Sequence, residues 1–196
     1  MTMKAALLGA VAVMGLAPAA FAERGTDGEV KLTFPQAVSI MNPYLSGGTK
    51  DIYASSMVLE PLAGLTPEGV LVPKMAVEIP TLENGGISAD MTSITWKLLP
   101  DLKWSDGSAV TADDAVFTWQ YCTHPEGGCS QATKFEGVAS VEAVDPSTIK
   151  VTFTAPKANP YTAFVSALSP VLQKAQFEAC LGAAAPTCTD ANNMPV

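Results

Sequence analysis

Lys103-Trp104-Ser105-Asp106-Gly107-Ser108-Ala109-Val110-Thr111-Ala112-Asp113-Asp114-Ala115-Val116-Phe117 carries the most specific pattern in the chain. Ser105-Asp106-Gly107 has turn chemistry, since Asp bonds its own backbone and Gly accepts a positive φ. Thr111-Ala112-Asp113-Asp114 has the form of a capping box that opens a helix, with two acids at the positive end of the helix dipole. Ala112, Ala115, Val116 and Trp119 recur at helical spacing and are expected to share one buried face. Asp113 and Asp114 are therefore caps, and as neighbours on a helix they diverge rather than converge on a substrate.

Outward from this unit, strand and helix signals alternate. Upstream, Ser93-Ile94-Thr95-Trp96-Lys97-Leu98 alternates apolar and polar residues and predicts a half-buried strand with Ile94, Trp96 and Leu98 inward. Downstream, Val141-Glu142-Ala143-Val144 and Ile149-Lys150-Val151-Thr152-Phe153 flank the turn Asp145-Pro146-Ser147 and predict a hairpin. Val30-Lys31-Leu32-Thr33-Phe34 predicts a first strand and residues 53–62 a helix. Asn159-Pro160 predicts the start of another helix, with Tyr161, Phe164, Val165 and Leu168 inward. A last helix is expected over residues 173–181, stopped by Gly182. The chain is mixed α/β.

Residues 1–22 have the order of a secretory leader: Lys4, an apolar stretch broken by Gly15 and Pro18, then Ala20-Phe21-Ala22 as a small-x-small cleavage site. The stretch is shorter than the ~20 residues a spanning helix needs. An exported, periplasmic protein beginning at Glu23 is expected, 174 residues long. Loss of Lys4 with the leader takes the formal charge from −8 to −9. That balance excludes nucleic acid and anionic membrane as expected partners, because both require basic patches.

The four cysteines, Cys122, Cys129, Cys180 and Cys188, allow three pairings. In an oxidising compartment the short spacings favour Cys122–Cys129 and Cys180–Cys188. No metal is expected: there is no C-x-x-C, and His124, the single histidine, stands beside Pro125 as a surface residue. No catalytic residue is expected either, since no nucleophile elbow, phosphate-binding glycine loop or paired histidines is present. No cofactor is expected.

The order of motifs adds a resemblance. Val58-Leu59-Glu60-Pro61-Leu62, Pro67-Glu68-Gly69, Val72-Pro73-Lys74-Met75-Ala76, the strand at Trp96 and the stretch from Trp104 to Phe117 follow one another. This succession resembles the N-terminal portion of the peptide/nickel-type solute-binding proteins of ABC importers, extracellular solute-binding family 5. Ala109 stands where the family usually has Pro, and Ala115 where it usually has Val. The resemblance implies an α/β fragment of a two-lobe periplasmic-binding-protein fold of type II, with an extra outer subdomain in lobe I and the second lobe absent. Residues 23–59 would begin the inner part of lobe I, residues 60–190 would form the outer subdomain, and residues 191–196 would be a truncated return towards the inner part.

The same resemblance implies a binding protein rather than an enzyme. It would capture a small solute, foremost a peptide, in an interlobe cleft and deliver it to permease subunits in the inner membrane. Ser46, Gly47, Gly48 and Thr49, after Asn42-Pro43, are the candidate ligand-binding residues, since glycines let another backbone approach closely. Tyr44 and Tyr53 are expected to pack inward. A non-transport exported interaction module is the alternative function, and a secreted hydrolase the weaker one.

The leader yields a direct test. Expression in a bacterium and N-terminal sequencing of the exported fraction should give Glu23 as the first residue. Met1 retained in a membrane pellet would overturn the export assignment.

Overall fold

The computed structural model describes Gly28 and residues 32–195. The leader, its cleavage site and the first two residues of the strand expected at residues 30–34 lie outside the described residues. Leu32, Thr33 and Phe34 form no strand.

Period-2 patterning produces the central sheet. Strands β3 (Ser93–Lys97), β4 (Val138–Asp145) and β5 (Thr148–Phe153) form an antiparallel sheet in the order β3-β5-β4. Ile94 faces Val151 and Trp96 faces Ile149 across the β3–β5 ladder, and all four are buried. The intervening Thr95, Lys150 and Thr152 stay half-buried. The hairpin turn is tied by Asp145, whose Oδ1 accepts from the Ser147 amide at 2.8 Å and hydroxyl at 2.9 Å. A second, two-stranded sheet pairs β1 (Ala63–Leu65) with β2 (Leu71–Pro73).

The capping box forms as expected and opens α2 (Ala112–Thr123), which packs against β4 and β5. Its buried face is wider than the spacing suggested. Ala112 and Ala115 are buried, but Val116 and Trp119 are half-buried, while Phe117, Thr118 and Tyr121 are buried. The helix has partners on two sides: the sheet on one, and residues 170–177 on the other. Thr118 Oγ1 accepts from the Leu172 amide at 2.9 Å, and Tyr121 meets Phe177 edge-on at 6.0 Å.

Asp114 gathers the quoted stretch into one unit. Its Oδ2 accepts from the Thr111 amide at 2.8 Å and from Trp104 Nε1 at 3.3 Å, while Oδ1 accepts from the Lys174 amide at 2.8 Å. The turn before the helix is fixed to the same segment through Gln173, which donates to Asp106 Oδ2 at 2.7 Å and Ser108 Oγ at 2.9 Å.

Two expected helices are displaced or absent. The helix placed over residues 53–62 is instead α1 (Thr49–Ser55). It stops in a turn at Ser56, Met57 and Val58, because the chain must straighten to pair with residues 164–166. The Leu62 amide donates to Phe164 O at 2.9 Å, and the Ser166 amide to Ala63 O at 2.9 Å. The helix expected after Asn159-Pro160 does not form. Those same bonds draw its backbone onto β1, with Phe164 and Ser166 at positive φ of 60° and 74°. Phe164 and Val165 are nonetheless buried, so their apolar character was read correctly and their geometry was not.

The last expected helix is α3 (Lys174–Phe177), continued by a 3₁₀ turn over Glu178–Cys180, and Gly182 takes φ +66° just beyond it. A short α4 (Thr189–Asn193) follows. Both disulfides, Cys122–Cys129 and Cys180–Cys188, are formed as the spacings suggested. Among the described residues no helix is long and apolar enough to cross a membrane.

The two disulfide loops lean on each other. Glu126 donates its amide to His124 Nδ1 at 3.2 Å, and the imidazole covers Gly182 so closely that a Cβ there would lie 2.6 Å from Cε1. His124 is thus half-buried between the loops, not the surface residue expected of it.

Two pairs of substitutions test this packing in urea unfolding. Asp114→Ala should cost about 3 kcal/mol, since it strands the buried Trp104 indole N–H and two partly buried amides, whereas Asp113→Ala, on the exposed side, should cost about 0.5 kcal/mol. Gly182→Ala should cost more than the ~1 kcal/mol that a left-handed backbone alone imposes on alanine. His124→Ala in the same chain should recover the excess; no recovery would show that the loops are not in contact there.

Candidate functional site

The candidate residues sit at the end of a tightly determined segment. Asn42 is fully buried and its side-chain oxygen accepts from the Tyr44 amide at 3.0 Å, setting the 3₁₀ turn Pro43–Leu45. Tyr44 is also fully buried, against Tyr121 and Phe135, so it packs inward as expected and offers no wall to a ligand. Tyr53 departs from the expectation: it is 60% exposed on α1.

Ser46, Gly47, Gly48 and Thr49 lead from that turn into α1. Gly47 and Thr49 are exposed, while Ser46 and Gly48 are half-buried. A side chain at Gly47 would meet nothing within 4 Å, so its backbone stands open. A Cβ at Gly48 would lie 3.3 Å from both Asp51 Oδ2 and Ser46 Oγ, which makes glycine the residue that lets the loop close.

Asp51 supplies the internal fastening. Its carboxylate, 2% exposed, accepts from the Ser39 amide at 2.7 Å, Ser46 Oγ at 2.7 Å, Lys50 Nζ at 2.8 Å and, at 3.4 Å, the Ile40 amide. Burial pushes this carboxyl up, but the hydrogen bonds from Lys50, Ser39, Ser46 and Ile40 outweigh it and hold the group at about 2. Ser46 Oγ in turn accepts from the Gly48 amide at 3.0 Å.

A second brace comes from far along the chain. Gln131 Nε2 donates to Ser46 O at 3.2 Å and Pro43 O at 3.4 Å, and the Ser130 amide donates to Tyr44 O at 2.7 Å. These residues follow Cys129 directly, so the first disulfide loop delivers them. Asp51 and Gln131 were both missed in the sequence. An acid in the first turn after Ser-Gly-Gly-Thr was a readable signal for Asp51. Gln131 had none, being 85 residues from Ser46.

At the other end of α1, about 10 Å away at 1.5 Å per residue, lies an apolar groove of about 370 Å³. Met57, Val58, Met75, Leu102, Trp104 and Val110 line it together with the charged Glu60 and Lys103. The Trp104-Ser105-Asp106-Gly107 turn therefore borders a groove but does not join the residues from Ser46 to Thr49. Among the described residues no group of three or more His, Cys, Asp or Glu could hold a metal ion. Asp113 points to solvent and Asp114 inward, so the adjacent acids do not converge.

The family model for bacterial extracellular solute-binding proteins, family 5 (middle region), matches residues 71–192. The glutathione-binding protein GsiB of Escherichia coli O1:K1 / APEC is 24% identical over 159 residues, which is 81% of this chain and 28% of that protein. Among solved structures, OppA of Listeria monocytogenes bound to peptide aligns over 74% of this chain and 30% of its own, with TM-score 0.65 and 23% identity. The substrate-binding domain of an oligopeptide ABC transporter from Bacillus anthracis str. Ames aligns over 76% and 30%, with TM-score 0.62 and 27% identity. The chain thus spans less than a third of the length of these proteins, and its α/β fold matches a part of their two-lobe architecture. These relatives are binding proteins rather than enzymes. With the match covering residues 71–192 and the fold agreeing with it, the chain belongs to the bacterial extracellular solute-binding proteins of family 5.

Proposed function

We propose that this chain forms one wall of a solute-binding cleft in the exported receptor of an ABC importer, and that the solute is a peptide or peptide-like molecule handed on to membrane permease subunits. The observation that carries this reading is the loop from Ser46 to Thr49. Its backbone is open at Gly47, yet buried side chains brace it from within. A braced, open backbone suits recognition of another backbone, which is how extended peptides dock without dependence on their side chains. Relatives named for glutathione and oligopeptide binding support the ligand class. The loop precedes the matched residues 71–192, so its role rests on geometry.

In this reading residues 23–59 belong to the inner part of the first lobe and residues 60–190 to an outer subdomain. Residues 191–196 turn back towards the inner part, and the Met41 amide donates to Asn192 O at 2.9 Å, which sets the first and last of these segments side by side. The leader at residues 1–22 accords with a periplasmic site of action.

Pockets gain affinity by burying ~70–90% of a ligand's surface, and a single wall cannot do that. The chain alone should therefore bind weakly. Titration of the ¹⁵N-labelled chain with millimolar glutathione and tri-alanine should shift the amides of Gly47, Gly48 and Thr49 and leave those of Ile94 and Val151 in place. Unmoved loop amides would sink the assignment of this edge. Micromolar or tighter binding in calorimetry would overturn the single-wall reading.

A further inference from the structure

We propose that Asp51 is the positioning residue of this site: its buried carboxylate locks the loop from Ser46 to Thr49 against residues 39 and 40, leaving the Gly47 backbone open for a ligand. This rests on the reading of that loop as the ligand-facing edge. A carboxylate out of water must recover its lost hydration from fixed donors. Here the donors come from three separate places. Ser39 and Ile40 precede the loop, Ser46 lies within it, and Lys50 follows it. The one side chain thus closes a ring around the loop, which an apolar residue of the same size could not do.

The ring has a relay. Ser46 Oγ donates to Asp51 and accepts from the Gly48 amide, so the carboxylate controls the Gly48 backbone through one hydroxyl. The 3.3 Å approach of a Gly48 Cβ to both oxygens shows how closely the backbone is drawn in, while a Cβ at Gly47, one residue earlier, would meet nothing within 4 Å. Shape fixed before binding lowers the ordering cost that a flexible glycine loop would impose on its ligand.

The clamp also has a pH signature. Its folded-state carboxyl lies near about 2, below the ordinary 3.8. The clamp is therefore complete above the ordinary value and is lost as pH falls through about 2.

Hydrogen exchange of the whole chain tests this against Asp51→Asn. At neutral pH the Ser39 and Gly48 amides should open about tenfold more often in the variant, the scale of one lost charge-assisted bond. Ile94 and Val151 should change less than about twofold, as sheet amides outside the clamp. The Gly48 difference between the chains should close as pH approaches about 2, which a general packing defect would not do. Tri-alanine shifts at Gly47, Gly48 and Thr49 should fade in the variant. Equal Gly48 protection in both chains overturns the clamp, and a loop that opens with an unchanged tri-alanine response overturns its positioning role. If tri-alanine moves no amide in the wild type, the ligand-edge reading falls, and the exchange ratio upholds or overturns the clamp by itself. Should Asp51→Asn fail to fold, Ser46→Ala removes one donor and the Gly48 acceptor and supplies the same comparison.

Discussion

The carboxamide of Asn42 has no access to water, and the architecture turns on how its hydrogen bonds are filled. Its oxygen accepts from the Tyr44 amide; its nitrogen donates to Tyr121 Oη at 3.0 Å and to Asn192 Oδ1 at 2.9 Å. Those partners stand 79 and 150 residues away, on α2 and α4. Asn192 passes the constraint on by donating to Ala185 O at 2.7 Å inside the second disulfide loop. An amide that is buried with an empty donor costs more than the bond itself contributes, so all three segments must arrive together or none is satisfied. This node keeps the turn at residues 43–45 in fixed relation to α2, and so to the sheet beneath it.

From that node the braces run outward in two directions. Tyr121 stands one residue before Cys122, and the loop closed by Cys122–Cys129 ends where Ser130 and Gln131 grip residues 43–46. The aromatic side chains between them, Tyr44, Tyr121, Phe135, Phe164 and Phe177, meet at ring separations of 5.3 to 6.4 Å, mostly edge to face. Such contacts favour definite angles as well as burial. The disulfides therefore do more than shorten the unfolded chain. One places Gln131 on the loop from Ser46 to Thr49, and the other seats Gly182 under His124.

The Trp104-Ser105-Asp106-Gly107 stretch shows how a motif can be diagnostic without being chemical. Its side chains serve to tie segments together: Asp106, with Ser108 just beyond the turn, accepts from the Gln173 carboxamide, and Trp104 donates to the carboxylate that caps α2. In this chain the turn, the cap and the crossing segment at residues 173–174 are satisfied together.

Most of what depends on neighbours in the chain was determined by the sequence itself: the α/β class, the alternation in β3 and β5, the Asp145 turn, the capping box at Thr111 and the two short cysteine pairings. These follow from periods of two and 3.6 residues and from backbone bonds that close within a few positions. Tertiary structure decided the rest. Residues 160–168 carry a helical pattern of apolar side chains, yet their backbone was taken by β1, which needed partners for Leu62 and Ala63. The helix read over residues 53–62 moved upstream for the same reason. The loop from Ser46 to Thr49 was visible as glycine and hydroxyl residues, but Gln131, which shapes it, was not. Local propensity is worth tenths of a kcal/mol per residue, whereas an unfilled buried amide or carboxylate costs ~1–3 kcal/mol. Where the two conflict, the distant partner wins, and a distant partner leaves no trace in the spacing of residues along the chain.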